Sequence, residues 1–179
     1  MALKQEQFVP FMIVVAIAFA LWIVYTSFSY QSETSSKFEQ EIATNDSLVV
    51  WNFPLIENEP SSTISIDSLV QAKQKGALLI FVSSWSPKSF DVLTVLDQQY
   101  KDELVIIVAV VKDTKDAAKS LKNQFSEQLF FVDGMSVYNE MRAPGLPTTI
   151  VYDKNLTLKG VFVGNKTLNE LDKLVQNAN

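Results

Sequence analysis

Two hydroxyls three residues apart, Ser86 and Ser89, stand at the head of an amphipathic stretch in Trp85-Ser86-Pro87-Lys88-Ser89. A serine attacks a substrate only when a neighbouring base takes its proton, and that base is usually histidine. The 179-residue chain has none. Lys88 is the nearest amine, but helical side chains at i, i+2 point apart, and an adjacent position is no better. Serine hydrolysis is therefore not expected. The plainer reading makes Ser86 a helix N-cap, Pro87 the first helical residue and Ser89 a first-turn residue. Lys88 is then a solvated charge, or the rim of a surface that meets a partner.

Other chemistry is excluded by composition. Cysteine is absent, so there are no disulfides, no thiolate reactions and no Cys-ligated metal. Without cysteine or histidine no metal site is expected, and no cofactor is implied. Asp91, Asp97, Asp102 and Glu103 make an acidic helix face that reads as solvated charge, not as a metal or acid–base site. Five glycines, none suitably spaced, leave no phosphate-cradling loop. Fifteen basic against twenty acidic residues give a net charge of -5, which argues against a nucleic-acid partner. Asn-x-Ser/Thr triplets at Asn45, Asn155 and Asn165 would matter only in a eukaryotic secretory lumen.

The elements that must position Ser86 and Ser89 begin with a membrane segment. Residues 8–28 (FVPFMIVVAIAFALWIVYTSF) carry no charge. At about 1.5 Å per residue this run spans a ~30 Å hydrocarbon core. Trp22 and Tyr25 lie toward its end, where aromatic rings favour the headgroups. A cleaved signal peptide would have a shorter apolar run and a small-x-small site, and YTSFSYQ is a poor one. An uncleaved anchor through the bilayer is therefore expected. Lys4 and the α-amino group place residues 1–7 in the cytoplasm and the remainder outside it. Residues 29–47 are serine-rich and acidic, the composition of a tether, with Phe38 and Ile42 one helical turn apart.

Residues 48–179 read as one α/β domain. LVVWNF (48–53) is extended, SSTISIDSL (61–69) alternates, and a short helix covers 69–75, with Gly76 where a C-cap would use it. ALLIFVSSW (77–85) and VIIVAVV (105–111) are continuous apolar runs, as for strands buried on both faces. Between them, 87–101 is helical with Phe90, Val92, Leu93 and Leu96 inward. A polar helix (112–124), an extended QLFFV (128–132) and a short helix (136–142) precede Ala143-Pro144-Gly145. TTIVY (148–152) and LKGVFV (158–163) form a hairpin, and a last helix runs over 166–176. Buried strands joined through helices pair in parallel with right-handed crossovers, so the pattern predicts a mixed sheet flanked by helices.

The order of buried strand, Trp85, x-Pro-x turn, helix, and later Gly145-Leu146-Pro147-Thr148-Thr149 before a hairpin resembles the thioredoxin fold. It is similar to the membrane-anchored TlpA/ResA-like thiol–disulfide proteins of the bacterial envelope, over roughly residues 48–177. FPLIENEP (53–60) and the following stretch look like that group's extra N-terminal segment. The group's motif is Trp-Cys-x-x-Cys, and both cysteines are serine here. Val92 stands where an acid is common and Thr94 where a helix-kinking proline is common. The resemblance therefore implies a redox-inactive relative, with no catalytic residue, since a hydroxyl cannot form a disulfide. It also implies a cis Pro147, and a platform of Trp85, Pro87, Lys88, Leu146 and Pro147. There an extended client or partner protein would pair with the Leu146 backbone. The expected role is non-covalent binding or assembly on the outer side of the cytoplasmic membrane, as in envelope or cytochrome c complexes. The alternatives are an oxidoreductase in a Cys-to-Ser version, and an accessory subunit held by its anchor.

Overall fold

A computed structural model of the protein describes residues 5–44, 50–56, 62–100, 105–164 and 166–178. The chain divides into two compact units, 1–37 and 38–179. In the first, helix α1 (Gln5–Thr44) contains Pro10–Ser27, a stretch of mean hydropathy 2.1 with none of it buried, long and apolar enough to cross a membrane. Pro10 falls inside this helix, near its start.

The second unit begins with the last turns of α1. Residues 29–44, whose composition reads as a tether, are helical, and Phe38 (3% exposed) and Ile42 (1%) are buried in the domain core. Two apolar residues at i, i+4 make one helical face, and the core covers it. The expected strand over 48–53 is reduced to β1 (Phe53–Pro54), paired with β2 (Thr63–Ile64); residues 48 and 49 lie outside the described residues. Helix α2 (Ile66–Lys73) starts three residues earlier than expected, which buries Ile66.

The central sheet contains β3 (Ala77–Val82), β4 (Ile106–Val111), β5 (Leu129–Asp133), β6 (Thr148–Tyr152) and β7 (Leu158–Val163), ordered β5-β4-β3-β6-β7. Strands β3, β4 and β5 pair in parallel, and β6 is antiparallel to both β3 and β7. Every residue of β3, β4 and β6 is buried, so these strands show continuous apolar runs instead of alternation. Helices α3 (Pro87–Gln99), α4 (Lys115–Lys122) and α6 (Leu168–Ala178) contribute Leu93, Leu96, Leu121, Leu171 and Leu174 to the core on one face. Helices α2 and α5 (Met135–Met141) and the end of α1 supply Ile66, Val70, Val137, Met141, Phe38 and Ile42 on the other.

Two expectations are corrected. Phe90 is 40% exposed instead of inward, its ring 5.3 Å from that of Phe125, which in turn stacks on Phe131. Gly76 does not end a helix: Gln74, at φ 54°, is the left-handed C-cap of α2. Glycine is required at 76 because a Cβ there would lie 1.8 Å from the Ala178 carbonyl oxygen, at the end of α6. At the β6–β7 turn, the Asp153 carboxylate accepts from the Asn155 and Thr157 N–H groups (2.8 and 2.9 Å) and from Lys159 Nζ (2.9 Å).

Candidate functional site

The C-terminal end of β3 runs into the turn Ser83-Ser84-Trp85-Ser86, which is hydrogen-bonded to the first turn of the helix that follows and to Asp113. Ser86 is extended (φ -96°, ψ 108°) and caps α3, its Oγ accepting the Ser89 N–H at 3.3 Å. The Ser89 Oγ accepts the Ser83 N–H at 3.4 Å, and the Ser86 N–H donates to the Ser83 carbonyl at 3.2 Å. Ser86 and Ser89 are both buried. They therefore act as capping and turn-closing groups with their oxygens engaged by backbone donors. Lys88 is exposed on the first turn of α3, as is Pro87.

The same turn turns Trp85 outward. At 68% exposure it is among the most exposed large apolar side chains of the second unit. Met135, at the start of α5, is also exposed. Across the sheet, Phe81 pairs with Thr148, so extending the register by one residue sets Pro147 opposite Val82. The Leu146–Pro147 peptide bond is cis, as the resemblance implies. The Pro147 carbonyl accepts the Gly164 N–H at 2.8 Å and the Gly145 carbonyl accepts the Thr148 hydroxyl at 2.7 Å. Leu146 is half-buried, and among the described residues its main-chain N–H and C=O make no hydrogen bond. The topology thus brings the Trp85 turn and the Leu146–Pro147 loop to one end of the β3–β6 pair.

Sequence reasoning missed the group that holds this turn. Asp113, just past β4, accepts the Ser84 N–H at 2.6 Å, and Ser83 Oγ lies 3.1 Å from each carboxylate oxygen. A charged residue after a buried strand was visible, but its partners lie about thirty positions away and no spacing announces them. Asp97, read as solvated charge, accepts from the Ser126 N–H and hydroxyl and so ties α3 to the turn before β5. Asp91 is exposed; Asp102 and Glu103 lie outside the described residues. Among the described residues no three carboxylates gather as a metal site would need.

No protein-family profile matches the chain, and neither does any curated protein sequence. Solved structures do. DsbF of Mycobacterium tuberculosis superposes with a TM-score of 0.62 at 18% identity, covering 74% of this chain and 97% of that one. A secreted disulfide oxidoreductase of the same organism, homologous to E. coli DsbE, gives 0.60 at 16% identity, over 74% and 98%. StoA from Bacillus subtilis gives 0.53 at 18%, over 71% and 98%. The second unit has the thioredoxin fold.

By the sequence resemblance, Ser86 and Ser89 stand at the two positions where the Trp-Cys-x-x-Cys pattern carries thiols. With no cysteine in the chain, dithiol exchange through its own side chains has no sulfur to use. Val92 is packed in the core (2% exposed). Thr94 lets α3 run unbroken from Pro87 to Gln99, its hydroxyl bonding back to the Phe90 carbonyl at 2.8 Å.

Proposed function

We propose that the protein is a membrane-anchored, redox-inactive member of the thioredoxin-like group that binds a partner polypeptide without reacting with it. In this reading residues 8–28 anchor it as a single uncleaved span, residues 29–47 lead from the membrane to the domain, and residues 48–179 face the extracytoplasmic side of the cytoplasmic membrane. The observation that carries the reading is that an outward Trp85 on a braced turn lies at the same end of the sheet as the Leu146 main chain, which makes no hydrogen bond among the described residues. An extended segment would add to the Leu146 backbone by two hydrogen bonds while an apolar side chain rests on Trp85, with Pro87 and Lys88 at the rim. Tryptophan, with tyrosine and arginine, is enriched among the residues that dominate binding energy at interfaces.

The similar solved proteins described as disulfide oxidoreductases or thiol:disulfide interchange proteins support an envelope setting. Assembly of an envelope or respiratory complex, cytochrome c maturation included, is the role such a setting favours. An oxidoreductase role would require cysteine at 86 and 89, and both are serine.

The test is photo-crosslinking in native membranes, with a photoreactive phenylalanine analogue at position 85 or 146 and, as control, at Asn177 on α6. The reading expects a discrete crosslinked protein band from 85 and 146 that is lost from 177. Equal labelling at all three positions, or none, would reject it.

A further inference from the structure

Lys112 and Asp113 leave β4 at the end of the sheet where Trp85 and Leu146 lie. The Lys112 N–H donates to the Val82 carbonyl at 2.9 Å, so this dipeptide is locked to the residue that precedes the Trp85 turn. From there the two side chains reach different parts of the site. Asp113 takes the Ser84 N–H and the Ser83 hydroxyl. Lys112 places its Nζ 3.7 Å from the centre of the Tyr138 ring, on α5, whose C-terminal end leads through Ala143-Pro144-Gly145 to Leu146 and Pro147.

The Asp113 contact is not ordinary helix capping. Thr114 is the N-cap of α4 and its own hydroxyl accepts the Ala117 N–H at 3.5 Å, while Asp113 turns to the neighbouring turn instead. With Asp113 in place, the backbone N–H groups of 83, 84 and 86 are all bonded. Trp85 is therefore outward in its side chain yet fixed in its backbone.

We propose that Lys112-Asp113 is a positioning element that holds the Trp85 turn and the α5–Leu146 arm in the arrangement a partner meets. This rests on the reading of Trp85, Leu146 and Pro147 as a binding platform. Its physical advantage is preorganisation: a turn ordered beforehand has little conformational entropy to lose when a partner docks.

The experiment uses the full chain in mild detergent with Trp22→Phe and Trp51→Phe, leaving Trp85 as the sole tryptophan. Two readouts follow, hydrogen exchange at the Ser84 amide and the fluorescence anisotropy decay of Trp85. With Asp113→Ala the Ser84 amide should exchange roughly tenfold faster, the effect of losing one hydrogen bond, and Trp85 should gain fast motion. Asp113→Asn, which keeps one carbonyl acceptor, should restore part of both. If Asp113→Ala does not fold, Asp113→Asn and Ser83→Ala decide by the same readouts. Unchanged exchange and anisotropy in a folded Asp113 variant would overturn the proposal. Loosening of Trp85 without any crosslinked partner in the wild type would uphold the brace and reject the binding role, so the two failures are distinct.

Discussion

Replacing Phe38 or Ile42 by alanine tests whether the last turns of α1 belong to the domain. Both side chains are almost fully buried in the cluster that includes Phe53, Ile66, Val70 and Phe81. Deleting a buried phenylalanine ring costs about 3–5 kcal/mol and truncating isoleucine to alanine about 2–5 kcal/mol, from lost transfer energy and the cavity left behind. One turn apart in the same cluster, the two are close enough to couple, so the double variant should depart from the sum of the single ones. A domain stable by about 5–15 kcal/mol would still lose a large fraction of its margin. A solvated tether predicts something else: changes within about 0.5 kcal/mol at each position. The assay is urea unfolding of the full chain in mild detergent. It is followed by near-UV circular dichroism, which reports the packing of aromatic side chains, with the signal of Trp22 and Tyr25 in the micelle common to every variant. Gln40→Ala, exposed on the same turns, is the control. If Phe38→Ala and Ile42→Ala both behave like Gln40→Ala, the assignment of these residues to the core is wrong.

Three further outcomes are expected. Gly76→Ala forces a Cβ against the Ala178 and Tyr152 carbonyls and should cost roughly 1–3 kcal/mol in the same urea titration, as overpacking does; a neutral effect would show that α6 can move aside. Ser86→Cys with Ser89→Cys should give a dithiol that oxidises to an intramolecular disulfide in a glutathione buffer, read as a two-hydrogen mass loss. The first thiol would cap α3, where the helix N-terminus favours a thiolate; two thiols that stay reduced would show that positions 86 and 89 lack disulfide geometry. At Asp153 burial works to raise the carboxyl pKa, but the Lys159 ammonium and the Thr157 and Asn155 N–H groups outweigh it, leaving the pKa below its ordinary value. Its stabilisation is then full above about pH 4 and is lost as pH falls through the lowered folded value. Asp153→Asn should lower the thermal midpoint at pH 7 and flatten its fall in acid; parallel curves for the two proteins would refute this.

How much of the molecule was legible beforehand can be followed residue by residue. β3 and β4 are readable because short uninterrupted runs such as ALLIFV and IIVAVV, too short to span a membrane and with IIVAVV rich in β-branched residues, fit strands covered on both faces. Ser86-Pro87 marked the start of α3, and Leu146-Pro147 before TTIVY marked a special turn, because proline and capping serine act locally. Phe90 lies at the edge of the α3 stripe, since helical periodicity gives a stripe but not its limits, and its ring meets Phe125, which itself packs against the core. The Phe38–Ile42 spacing marks a helical turn within residues 29–47, but that the domain core covers these two side chains is not visible in a stretch whose composition is dominated by serine and acidic residues.

Sequence alone determined which chemistry is absent, since a chain without cysteine or histidine has neither a thiolate nor a neutral-pH imidazole. It also determined the apolar N-terminal helix and the succession of strands and helices, because hydrophobic periodicity and capping are properties of neighbouring residues. Tertiary structure decided what surrounds Trp85. The Asp113 contacts to Ser83 and Ser84, the Lys112 cation over Tyr138, and the alignment of Pro147 with Val82 join segments about twenty-five to sixty-five residues apart. Such contacts depend on the order and direction of strands in the sheet, and no local pattern encodes which strand lies beside which.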